Sequence, residues 1–147
     1  MITRVSHIGV WVLDQDQAFN FYVNTLGFAV HTDTRMGDYR WLTVTPPEQP
    51  DLEIMLGVPG PPALDADSAE QIKQLVAKGQ LGGGILATKD CRATYQELRD
   101  RGVEFTEEPT ERFYGVDAAF RDPFGNPWRL TQPLDNPPRH FPGTEPA

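Results

Sequence analysis

Three things are scarce in this chain of 147 residues: cysteine, clustered positive charge and long apolar runs. Cys91 is the single cysteine, so no internal disulfide can form, and the count fits a reducing compartment, the cytoplasm. Lys and Arg total 13 against 21 Asp and Glu, which leaves a formal net charge of -8 and no basic cluster. Phosphate contacts need such clusters, so a nucleic-acid partner is not expected. No apolar run approaches the roughly 20 residues of a membrane span, and no membrane partner is expected either. Met1 to Val5 lead straight into a strand pattern, so no signal peptide is expected. Cys91 falls near an expected helix N-terminus, where a thiol pKa drops, yet no histidine lies near it in sequence. A packing or surface role is the expectation for it.

What is present is an echo. The first stretch reads Val5-Ser6-His7-Ile8-Gly9-Val10-Trp11-Val12-Leu13-Asp14, continues with Ala18, Phe19 and Tyr22, and reaches Leu26-Gly27-Phe28. The second reads Gly83-Gly84-Ile85-Leu86-Ala87-Thr88-Lys89-Asp90, continues with Ala93, Tyr95 and Leu98, and reaches Arg101-Gly102-Val103. In each, an apolar strand meets an acidic helix cap, and a glycine ends the helix before another strand. Such a duplication implies two copies of one supersecondary unit sharing a core.

The pattern predicts strands over 5–12, 28–32, 39–45 and 52–56, with the first helix presenting Ala18, Phe19, Tyr22 and Leu26 to the core. A Pro/Gly-rich connection leads to a helix from Asp67 or Ser68 to Lys78. The second copy is expected as strand 84–88, helix 90–101 and strands 103–106, 115–121 and 127–131. Asp122-Pro123-Phe124-Gly125-Asn126-Pro127 reads as a tight turn. The domain is placed at 1–132, as a module over 3–57, a helical connector over 58–80 and a module over 81–132. Residues 133–147 are expected to form a loosely attached, proline-rich tail.

The His7-Ile8-Gly9-Val10 strand, Leu26-Gly27-Phe28 after the first helix and Asp122-Pro123-Phe124-Gly125-Asn126-Pro127-Trp128 together resemble the vicinal oxygen chelate superfamily, which includes glyoxalase I, bleomycin-type resistance proteins and extradiol dioxygenases. The resemblance covers residues 3 to 132. It implies an α+β fold in which two β-α-β-β-β modules form an open, cup-shaped barrel with the helices outside and a sheet order of 1-4-3-2. It also implies, for the family's enzymes, a divalent metal held in the cup by the first and fourth strands of each module.

Strand alternation sorts the candidates. If Ile8, Val10 and Val12 pack on the helix, His7, Gly9 and Trp11 point into the cup; if Leu52, Ile54 and Leu56 pack outward, Glu53 and Met55 point in. His7 and Glu53 match the family's first two ligand positions. The third falls at Gly83, or at Gly82 or Gly84, and the fourth at Arg129. Two ligands and a permanent cation do not make a site for Zn²⁺, Fe²⁺ or Mn²⁺, so no metal and no cofactor are expected. His7, Glu53 and Arg129 are expected to form a polar cluster with a Glu53–Arg129 ion pair. His31 is expected at the rim and His140 in solvent. Trp11 and Trp41 are expected as apolar walls for a flat ligand, Tyr114 as a hydrogen-bonding rim residue and Trp128 as packing against the second helix.

The resulting expectation is a cytoplasmic homodimer of the glyoxalase/bleomycin-resistance type that binds a small aromatic or anionic molecule through His7, Trp11, Trp41, Glu53, Tyr114 and Arg129 without metal. The alternative is a metal-dependent lyase, isomerase or dioxygenase of the same superfamily. A third is metal-free acid/base catalysis with His7 as the base, so enzymatic activity stays open.

Overall fold

The computed structural model describes residues 1–145; the last two residues of the expected tail lie outside the described residues. The chain divides into two units. The first comprises Met1–Gly82 with Pro123–Asn126, the second Gly83–Asp122 with Pro127–Ala147.

In the first unit β1 (His7–Trp11) leads into α1 (Gln15–Phe19), followed by β2 (Ala29–Met36), β3 (Tyr39–Thr45), β4 (Glu53–Gly57) and α2 (Ala66–Ala77). The sheet order is β1-β4-β3-β2, with β1 and β4 parallel and the other pairs antiparallel. Asp14 caps α1 by accepting from the Gln17 amide. The helix then widens into a π-helical stretch over Asn20–Thr25, with the Leu26 amide donating to the Phe21 carbonyl. That extra residue per turn rotates the apolar stripe: Ala18, Phe21 and Tyr22 are buried, while Phe19 and Leu26 are only half-buried. Gly27, at φ 83°, then lets the Phe28 amide reach the Tyr22 carbonyl and close the helix. The core beneath is Val10, Val12, Leu42, Val44, Ile54 and Leu56. Ile8 shares their parity but is 41% exposed.

α2 begins one or two residues before the expected Asp67 or Ser68, because Asp65 is the cap and accepts from the Ser68 amide. The turn at Gly125-Asn126 docks in this unit. Gly125 has φ 112°, and a Cβ there would stand 2.5 Å from the Val76 carbonyl. Buried Asn126 donates through Nδ2 to the Trp11 carbonyl at 2.7 Å.

The second unit repeats the plan with β5 (Gly84–Ala87), α3 (Cys91–Asp100), β6 (Glu104–Arg112), β7 (Gly115–Arg121) and β8 (Pro127–Pro133), in the order β5-β8-β7-β6. Trp128, Leu130, Phe120, Leu98, Val103 and Cys91 form its core. The segment after β8 is less loose than composition suggests. The Leu134 amide donates to the Tyr114 carbonyl, and Phe141 meets Phe113 edge-on at 5.4 Å.

The glycine run has a steric cause. A Cβ at Gly83 would sit 2.2 Å from the Trp128 indole, whereas one at Gly82 would meet nothing within 4 Å. Gly83→Ala should therefore cost about 1–3 kcal/mol, as overpacking does, and Gly82→Ala should be near neutral. Urea denaturation of both variants checks this, and equal stabilities would contradict it.

Candidate functional site

β1 and β4 run in register, with His7 opposite Glu53, Gly9 opposite Met55 and Trp11 opposite Gly57. Successive side chains alternate faces, so these six share the face turned away from the core residues Val10, Ile54 and Leu56. β3 adds Thr43, the partner of Met55, and Trp41 two residues before it. Each glycine sits beside a large partner: a Cβ at Gly57 would lie 3.5 Å from the Trp11 ring, and one at Gly9 would lie 3.6 Å from the Met55 methyl, both ordinary contact distances.

Glu53 is the polar centre of this face, its side chain only 15% exposed. His7 Nε2 lies 2.7 Å from Oε2, and the Thr43 hydroxyl donates to Oε1 at 2.8 Å. His31 Nδ1 lies 2.9 Å from Oε1. The His7 ring is oriented from its other side by the Ser6 hydroxyl, 2.9 Å from Nδ1. The expectation for His31 is thus corrected: it is a partner of Glu53 rather than a rim residue. Two strands of separation do not isolate it, for two reasons. Thr43, on the strand between, is short enough for Glu53 to lean across. His31 is also the extra residue of a β-bulge, since Val30 pairs with Val44 and Thr32 with Thr43, and a bulge re-aims its side chain. An alternating pattern read from sequence carries no mark of such an insertion.

The expected Glu53–Arg129 pair is also corrected. Arg129 lies in the second unit, where Nε donates to Asp117 Oδ2 at 2.9 Å and Nη2 donates to both Asp117 and Glu107. Asp117 further accepts from Thr131 at 2.9 Å and from the Tyr114 hydroxyl at 3.1 Å. Burial alone would raise the Asp117 pKa, but the hydrogen bonds from Arg129, Thr131 and Tyr114 outweigh it and hold the carboxyl below its ordinary value. Tyr114 moves up instead, through burial and its bond to Asp117. Asp117 was missed because its alternation partners are the small Gly115 and Ala119, and nothing in its spacing distinguishes it from a surface acid.

Hydrogen-bond register also refines the echo between copies. The Val12 amide donates to the Gly57 carbonyl as the Thr88 amide does to Thr131. In that frame Gly83 matches His7, Pro127 matches Glu53 and Arg129 matches Met55. Neither Gly83 nor Pro127 has a side-chain donor for a metal. Among the described residues, no group of three or more His, Cys, Asp or Glu side chains is placed to hold one. The donors present therefore do not fit the four-ligand metal centre implied by the superfamily.

Above Met55 lies a pocket of about 330 Å³ lined by Gly9, Trp11, Tyr39, Trp41, Met55 and Gly57, with Val10, Arg40, Leu42, Leu56 and Ala63 completing its wall. Trp41 links it to the polar centre, its ring 6.2 Å from that of His7. Arg40, with a side chain only 10% exposed, is held by Asp33 at 2.8 Å and Asp16 at 2.7 Å. The bond to Asp33 raises its pKa and lowers that of the carboxyl. Cys91 is buried in the other unit, where desolvation pushes its thiol up, so it is not an activated nucleophile.

A model of the Glyoxalase/Bleomycin resistance protein/Dioxygenase superfamily matches residues 4–130. The chain belongs to that superfamily. The solved structure of UcmS2 is 44% identical, with a TM-score of 0.84 over 89% of this chain and 98% of that one. A second superfamily relative, TnmS3, described as an antibiotic binding protein from Streptomyces sp. CB03234, is 33% identical, with a TM-score of 0.72 over 90% of this chain and 98% of its own. YurT of Bacillus subtilis (strain 168) is 35% identical over 84% of this chain and 94% of its own. The two solved structures share this chain's fold.

Acid should weaken the second unit through Asp117. Because Asp117 titrates below its unfolded value of 3.8, its contribution is full above that value and is lost as pH falls through the lower folded-state pKa. Asp117→Asn should lower stability at neutral pH by about 2 kcal/mol, the scale for a charged hydrogen bond with a part-solvated partner, and flatten the acid-side decline. Urea midpoints across a pH series below neutrality test it; an unchanged acid-side slope would contradict it.

Proposed function

We propose that the protein binds a flat aromatic small molecule reversibly in the pocket of its first unit, without a metal ion. The observation that carries this reading is the pocket itself: an apolar hollow of about 330 Å³ with Trp11 and Trp41 on one sheet face. Rigid indoles give a flat ligand large contact area at small entropic cost, and a few convergent polar groups fix its orientation. His7 and Glu53, joined to the pocket through Trp41, are assigned that orienting role. Tyr114 and Arg129, expected to touch the ligand, are assigned to the Asp117 cluster instead. The 33% identity to an antibiotic binding protein supports a sequestering role. No helix of the described residues is long and apolar enough to cross a membrane. The single buried cysteine supports a cytoplasmic setting, and open strand edges support a homodimer.

Titrating planar aromatic compounds in the presence of EDTA, with tryptophan fluorescence as the readout, tests the reading. Quenching should saturate, and Trp41→Ala should weaken affinity about ten-fold, as loss of a stacking wall does. Binding that requires an added metal, or that ignores Trp41→Ala, would contradict it.

A further inference from the structure

A second hollow of about 220 Å³ adjoins the tryptophan pocket and shares Trp11, Tyr39, Arg40, Gly57 and Ala63 with it. The two are lobes of one groove, and the second lobe is closed by Gln15, Asp38 and the loop from Val58 to Ala63. Its acceptors include the Gln15 side chain and the Asp38 carboxylate. Gln15 spends its Nε2 on the Arg40 and Leu56 carbonyls, at 3.0 and 2.8 Å, and is left with its Oε1. Arg40 is the single cation of either lining, and Nε, Nη1 and Nη2 are committed to Asp33 and Asp16. Arg35 also bears on Asp33, so the guanidiniums and carboxylates of that cluster balance, and Asp38 in the wall leaves the lobe net negative. A negative lobe next to an apolar one selects for a cationic arm.

We propose that the ligand is bipartite: an aromatic body stacks in the apolar lobe, and an ammonium-bearing arm enters the second lobe toward Asp38 and Gln15 Oε1. This rests on the aromatic-ligand reading above and names the class within it, an amphipathic aromatic amine. Trp11 and Tyr39, common to both lobes, offer ring faces to a cation as well as to an aromatic surface.

Three probes share one ring and differ in the charge of the arm: 1-naphthaleneethylamine, 1-naphthaleneethanol and 1-naphthalenepropionate. By calorimetry on the full chain, the amine should bind about two- to five-fold more tightly than the alcohol, as a part-exposed charge pair allows, and the carboxylate most weakly. Asp38→Asn should abolish the amine's advantage and leave the alcohol unchanged, while Trp41→Ala should weaken all three alike. Equal binding of amine and alcohol to the unmodified protein, or an amine advantage that survives Asp38→Asn, overturns the bipartite ligand and leaves the aromatic reading standing. Failure of all three probes to bind, or indifference to Trp41→Ala, overturns both.

Discussion

A carboxylate with little solvent around it must recover from neighbours the hydration it has lost, and Glu53 recovers it from three. His7 approaches one oxygen, and Thr43 and His31 approach the other. The rest of the first unit's polar face depends on that arrangement. It fixes the His7 ring beside Trp41, and it ties together all four strands, because the four residues come from β1, β4, β3 and β2. It also gives each Glu53 oxygen a protein partner, so a cation there would compete with those contacts.

The second unit meets the same constraint differently. Asp117, 1% exposed, is compensated by a guanidinium and two hydroxyls. A permanent cation inside the cluster stabilises the carboxylate but spends the arginine, which is why Arg129 makes a poor anchor for a ligand anion. Gly83 follows from packing in the same unit: the Trp128 indole occupies the space a side chain there would need. One duplicated scaffold therefore carries a groove with unused surface on one copy and a self-satisfied ion pair on the other.

Much of this was legible in the sequence. The echo between the two halves and the Asp122–Asn126 turn carried the resemblance to the superfamily, and that resemblance implied the fold and its strand order. Alternation placed His7, Trp11, Trp41 and Glu53 on one face, since β1, β3 and β4 are regular. What escaped were irregularities and long-range pairings. The bulge at His31 and the π-helical turn after Phe19 each insert one residue, which no ideal period contains. The Arg129–Asp117 pair links residues on adjacent strands that become neighbours only once the β7–β8 register is set. Asp38 and Gln15 carry no motif at all and acquire meaning only beside the groove they line.

Calorimetric titration of the chelator-treated protein with Zn²⁺, Mn²⁺ and Ni²⁺ tests most directly whether Glu53 serves its histidines rather than an ion. No stoichiometric binding is expected for any of the three. One ion bound per chain, and lost when Glu53 is replaced by Gln, would contradict it.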